Sequence, residues 1–140
     1  MIKKSYLFYD IETTGLYKAF DQVLQFAAVR TDEDLNECER VEFLVRLNPD
    51  VVPNPHAIIT HELSLQALKQ GITEAEAIEK IHKLMNTQGT ISLGYNTLGF
   101  DDEFLRFSFY RNLLPASSPQ YENQCWRMEL YPYPQLYYLF

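Results

Sequence analysis

Three segments with strand-like patterning follow one another at the start of the chain, joined by short links, and their order constrains the fold more than any other feature. Ser5–Ile11 is rich in Tyr, Leu, Phe and Ile without helical periodicity, as in a buried strand. Val23–Thr31 reads as a second strand. Val41–Leu47 alternates Val41, Phe43, Val45 and Leu47 against Glu42, Leu44 and Arg46, close to the pattern of a half-exposed strand. Gly15 marks a turn after the first strand, and Asp32–Asn36 is a polar, hairpin-like connection. Three consecutive strands so linked suggest an antiparallel meander.

The signals then change period. Pro49, Pro53 and Pro55 make Asn48–Pro55 a loop. Ser64 caps a short helix, Leu65–Gln70, that stops at Gly71. Thr73 with Glu76 three residues on is a capping box, and the helix it opens should bury Ile78, Ile81 and Met85. Thr90–Tyr95 reads as a short buried strand. Phe100–Leu114 reads as a helix with Asp101, Asp102 and Glu103 in its first turn, where the helix dipole favours acids, and Pro115–Pro119 as a loop. The order βββ-αα-β-α gives an α/β domain: a mixed sheet of an antiparallel three-strand meander plus a parallel strand, flanked by helices.

Length and composition fit one domain over residues 1–140. Hydrophobic residues make up 46% of the chain, with 10 Tyr and 9 Phe, a globular composition. No apolar run approaches the roughly 18 residues of a membrane span, and the first residues lack a signal peptide's long apolar stretch. Cys38 and Cys125 have no metal or redox spacing and are expected as free thiols in a reducing cytoplasm. The net charge of −7 is not the footprint of a general nucleic-acid binder. The tail carries Trp126, Tyr131, Tyr133, Tyr137, Tyr138 and Phe140 with no charge after Glu129, and Pro132 and Pro134 bar an uninterrupted helix. So apolar an end needs a cover, so a C-terminally truncated domain is expected, one that self-associates through these aromatics.

The chemistry lies in acids at element ends. In Asp10-Ile11-Glu12 the two-residue period of a strand puts both carboxylates on one face. Such a pair is self-repelling unless a cation lies between, and its hard oxygens suit Mg²⁺ or Mn²⁺. Alone, the pattern is also ordinary solvent-facing alternation. Thr13, Thr14 and Gly15 follow with small hydroxyls and a residue without a side chain, allowing a substrate backbone to approach, and Leu16 could wedge against a terminal base. Asp101-Asp102-Glu103 is equally well explained as ordinary helix-start acids. A parallel strand at Thr90–Tyr95 beside the first would nevertheless bring both acidic groups to one sheet edge, where α/β ligand sites sit. That is the layout of a two-metal phosphodiesterase.

DIETTGL at 10–16 resembles the first motif of the DEDD (DnaQ-like) 3′→5′ exonuclease superfamily, and GYNTLGFDDEFLRFSFYRNLL at 94–114 resembles the second. The wording of the latter, with QFAAVRTD at 25–32, is closest to the bacterial exonuclease I family. The resemblance implies an RNase H-like fold, Asp10, Glu12 and Asp101 as catalytic metal ligands, and Thr13, Thr14, Gly15, Leu16, Asn96 and Phe100 as substrate-binding residues. It also implies two Mg²⁺ or Mn²⁺ ions, single-stranded DNA as partner, and hydrolysis to mononucleotides, with Glu12 placed to position the attacking water. The family's third motif, a His a few residues before a fourth acid, has no counterpart here: no Asp follows Asp102, and His56, His61 and His82 all lie upstream. These three are expected to be structural or surface histidines. Glu103 and Glu129 are the acids left to supply a fourth carboxylate. A weakly active or inactive domain is therefore expected, with RNA trimming and a non-catalytic binding module as the alternative readings.

Overall fold

The computed structural model describes residues 2–116 and 124–130. The sheet is built on β1 (Ser5–Thr13), β2 (Val23–Thr31) and β3 (Glu37–Leu44), antiparallel in sequence as the meander requires. Next come helices α1 (Pro55–His61), α2 (Leu65–Leu68) and α3 (Glu74–Met85). Strand β4 (Thr90–Gly94) pairs parallel with β1, a π-helical turn at Thr97–Asp101 leads into α4 (Asp102–Arg111), and β5 (Trp126–Glu129) pairs parallel with β4. The strand order is β3-β2-β1-β4-β5, so β1 is central.

Alternation along β1 sorts its side chains. Leu7, Tyr9 and Ile11 are buried on one face, while Tyr6, Phe8, Asp10 and Glu12 lie on the other. Phe26 and Ala28 of β2 extend the buried face, and Ala77, Ile78, Ile81 and Met85 of α3 pack on it with Phe104, Leu105 and Phe109 of α4. Fully burying each large side chain contributes about 1.5–3 kcal/mol, so the apolar stripes of both helices fasten them to the same sheet face. Thr73 caps α3 by accepting the Glu76 N–H, and Ser64 caps α2 by accepting that of Ala67.

Four elements differ from the sequence expectation. The third strand runs from Glu37 to Leu44 rather than over Val41–Leu47, because Asp32 accepts the N–H groups of Asp34 and Asn36 and closes the hairpin early. Its charged first half tolerates an edge position, where charge also discourages pairing with other chains. Helix α1 is additional, since only a loop through Pro55 and no helix before Ser64 is expected from the sequence: Asn54 accepts the His56 N–H and Pro55 takes a first-turn position that needs no donor. Helix α4 starts at Asp102 because Asn96, in the left-handed region at φ 57°, opens the π turn ahead of it. Strand β5 is additional, since its four residues alternate two large apolar groups with Arg127 and Glu129 and carry little periodic signal.

The expected loop beyond Ala116 and the aromatics from Tyr131 onward lie outside the described residues, as does self-association through them. Among the described residues no helix is long and apolar enough to cross a membrane, and neither Cys38 nor Cys125 is in a disulfide, the buried Cys125 thiol donating to the Thr87 carbonyl.

Candidate active site

Strand β4 pairs with β1 only from Ser5 to Phe8, so Asp10–Thr13 overhang the end of the parallel pair. The π turn fills the notch this leaves. Its approach is close: a Cβ at Gly94 would stand 2.7 Å from the Tyr9 carbonyl oxygen, so only glycine lets β4 bend here. The turn brings Asp101 back to β1, where its carboxylate meets the Ile11 N–H. The Asp10 carboxylate also lies close to that N–H. Two acids 91 residues apart in sequence therefore converge on one strand end, close to the same backbone N–H.

The electrostatics record the crowding. Burial, then Asp10, and to a lesser degree Glu12 push the Asp101 pKa from 3.8 up to about 7, against the restraint of the Ile11 and Asp101 N–H groups. Burial raises Asp10 as well, and burial followed by the Asp10 charge raises Glu12. Asp101 is only 7% exposed, and its Oδ2 is buried without a hydrogen-bond partner. A buried carboxylate oxygen with no donor is costly unless a positive charge faces it. As the side chains stand, no three or more His, Cys, Asp or Glu residues among those described close into a metal-holding group. The all-oxygen donors and the orphaned Oδ2 suit a divalent cation.

Beside the acids lies a cleft of about 420 Å³, whose lining includes Glu12, Thr13, Gly15, Leu16, His61 and Phe100. Four of the six residues expected to touch substrate (Thr13, Gly15, Leu16 and Phe100) therefore stand together, with Leu16 79% exposed. The other two do not line it. Thr14 is fully buried, its hydroxyl donating to Asp21 at 2.7 Å and accepting the Gln22 N–H, so that hydroxyl ties the loop together instead of reaching outward. Asn96 is spent on the left-handed residue that starts the π turn. A Cβ at Gly15 would stand 2.6 Å from the Asp21 carboxylate, so a side chain there would displace the group that accepts from Thr14 and Tyr17.

The β1–β2 loop that presents Leu16 is held from several sides. Asp21 accepts both the Thr14 hydroxyl and the Tyr17 N–H. Arg111 at the end of α4 donates to the Ala19 and Asp21 carbonyls, and Lys18 reaches the Gly99 carbonyl in the π turn. Helix α4 thus locks the loop and the turn against one another.

Of the histidines, expected to be structural or surface groups, His56 and His61 of α1 line the cleft. His61 accepts the Leu63 N–H through Nδ1, so Nε2 carries the proton of the neutral ring. That nitrogen is buried with no aligned partner, although the Thr13 carbonyl lies beside it, and burial lowers the ring's pKa. His82 remains remote, set edge-on against Phe109. The signal for α1 was Asn54 before Pro55, a cap followed by a first-turn proline. Glu103 pairs with Arg106 at 2.9 Å, and Glu129 accepts the Leu98 N–H, so both spare acids are engaged. Asp102, buried behind Asp101, lies 2.7 Å from Arg127.

A family model described as Exonuclease matches residues 7–128. The chain is 38% identical over 128 residues to exodeoxyribonuclease I of Escherichia coli strain K12, covering 89% of this chain and 27% of that protein. It therefore spans about a quarter of that relative's length. The crystal structure of E. coli exonuclease I in complex with a dT13 oligonucleotide superposes with a TM-score of 0.85 at 34% identity, covering 91% of this chain and 28% of that one. The zinc-bound form of the E. coli enzyme with single-stranded DNA gives a TM-score of 0.87 at 34% identity, with the same coverage.

Proposed function

We propose, because this chain belongs to the exonuclease family, that it forms the acid-bearing part of a 3′→5′ exonuclease hydrolysing single-stranded DNA to mononucleotides. One observation carries the reading. The Asp10 and Asp101 carboxylates converge on the overhanging end of β1, close enough that the Asp10 charge raises the Asp101 pKa, beside a cleft that Leu16 and Phe100 help to wall. Asp10, Glu12 and Asp101 are the residues that would hold a pair of divalent cations, Mg²⁺ or Mn²⁺ by their oxygen donors. Bound there, such cations supply counter-charge, water activation near neutral pH and stabilisation of the leaving oxygen. The oligonucleotide complexes of the E. coli enzyme support single-stranded DNA as the substrate class.

The chain's own side chains bind and orient. Leu16 and Phe100 offer apolar surface to the terminal base, a stacking contact indifferent to base identity. The bare backbone at Gly15 lets the terminal nucleotide approach the strand end. Glu12, whose proton affinity is raised by burial and by Asp10, is placed to orient the attacking water. Asp101, burdened by Asp10 when both are ionised, gains most from a neighbouring cation.

The test uses single-stranded DNA and RNA of one sequence, each labelled at the 3′ end, with Mn²⁺. Manganese-dependent binding and slow mononucleotide release from the DNA, both lost in Asp10→Ala, are expected. A preference for the RNA, or a chain that neither binds nor trims DNA in a manganese-dependent way, would overturn the reading.

A further inference from the structure

Strand β5 sets two alternate residues, Arg127 and Glu129, against the segment that delivers Asp101. In the β4–β5 register Arg127 stands opposite Ser92 and Glu129 opposite Gly94, so both belong to one strand face. Glu129 Oε2 accepts the Leu98 N–H at 2.9 Å. Arg127 Nε lies 2.7 Å from Asp102 Oδ1, a charge contact not aligned as a hydrogen bond, and Nη1 donates to Oδ2 at 3.4 Å. Leu98 and Asp102 bracket Phe100 and Asp101. One strand therefore grips the π turn on both sides of the two residues that serve the site.

The local sequence cannot do this for itself. Neither Asn96 before the π turn nor Asp101 before α4 makes a side-chain capping hydrogen bond, so the first donors of the turn depend on a distant acceptor. The load on the turn is also unusual. Asp101 is held against Asp10 with a buried, unpartnered oxygen, and Asp102 adds a second buried acid next to it. Without Arg127, repulsion among these acids would favour any movement of the turn away from β1. Tyr9 is buried beside the turn, its hydroxyl close to Thr97 and to Asp102.

We propose that Arg127 and Glu129 are positioning residues that aim Asp101 at the site, Arg127 by neutralising Asp102 and Glu129 by capping the π turn. The proposal rests on the reading of Asp10 and Asp101 as cation ligands. Partners that orient metal-ligating groups typically govern affinity about 10- to 100-fold. An ordinary structural ion pair would change melting temperature and leave the cation affinity of the folded chain unchanged.

The experiment titrates the 140-residue chain with Mn²⁺ by calorimetry well below its melting temperature, alongside melting curves without metal. Arg127→Met and Glu129→Ala are each expected to weaken Mn²⁺ binding about tenfold or more. Glu129→Gln keeps an acceptor for Leu98 and should bind within about twofold of the parent. Adding Asp102→Asn to Arg127→Met removes the orphaned charge, and should restore both the metal-free melting temperature and most of the affinity. Should Arg127→Met fail to fold, this double variant and the Glu129 pair still decide the matter. Arg127→Met and Glu129→Ala binding like the parent, while Asp10→Asn abolishes binding, would overturn the positioning role alone. A parent that does not bind, or an Asp10→Asn variant that binds like it, would instead overturn the ligand assignment and this inference with it.

Discussion

Replacing Asp101 by Asn should make the metal-free chain more stable at alkaline pH while removing its response to divalent cations. Asp101 stands 7% exposed beside Asp10, with its pKa pushed from 3.8 up to about 7. At about 1.4 kcal/mol per pH unit, that rise corresponds to about 4 kcal/mol of penalty for the ionised form. The folded state holds its proton more tightly than the unfolded state, so the penalty is absent below about pH 4 and grows as pH rises. It is complete above about pH 7. Asparagine keeps the shape without the charge, but its amide is also buried and presents donors toward the Ile11 N–H. We therefore expect a net gain of about 2 kcal/mol at about pH 8, or roughly 4–8 °C in melting temperature for a domain of this size. At about pH 5 the penalty falls to less than half, below the cost of burying the amide, so the gain should vanish or reverse, because the parent's Asp101 is then protonated. Manganese should raise the melting temperature of the parent, which binds it when folded, and not that of the variant. Melting curves at the two pH values, with and without Mn²⁺, give the answer. A variant that melts at or below the parent at pH 8 without metal, or a gain of equal size at pH 5, would refute the electrostatic account of Asp101.

Gly94→Ala should cost about 2 kcal/mol or more through overpacking, since its Cβ would stand 2.4 Å from the Thr97 methyl carbon and 2.7 Å from the Tyr9 carbonyl; chemical denaturation measures this. Phe100→Ala should weaken binding of a short dT oligonucleotide by about 1–3 kcal/mol, the usual worth of a base stacked on an aromatic side chain, and Leu16→Ala should weaken it by less. Fluorescence anisotropy with Mn²⁺ present checks this, and melting curves should show Leu16→Ala nearly silent for stability, since Leu16 is exposed. Turnover by the 140 residues should be slow, because they contain no Asp after Asp102 and no histidine after His82, and losing a general base costs on the order of 10²–10⁴-fold. Robust mononucleotide release that depends on Asp10 would mean that a residue already present, such as His61 or Glu129, fills the role.

The elements that were legible in the sequence are those whose signal is local. The apolar, non-helical runs of β1 and β2, the caps at Ser64 and Thr73, and the stripe Ile78, Ile81, Met85 each follow from neighbours a few residues apart, and all stand in the structure. Asp10 and Glu12 on one strand face follow from the same two-residue period. What the tertiary structure decided is everything that joins distant segments. The convergence of Asp101 on Ile11 depends on β4 stopping short of β1 and on the π turn that fills the notch, and neither is a periodic feature. Thr14 and Thr13 look alike in sequence, yet the fold turns one hydroxyl inward to Asp21 and sets the other residue at the cleft. Arg127 and Glu129 read as two charges in an aromatic tail until parallel pairing with β4 sets them beside the turn that carries Asp101. Local propensity reaches only as far as hydrogen bonds within a turn or strand. The placement of a charge beside another dozens of residues away is settled by which sheet edge remains open, and only the folded chain has one.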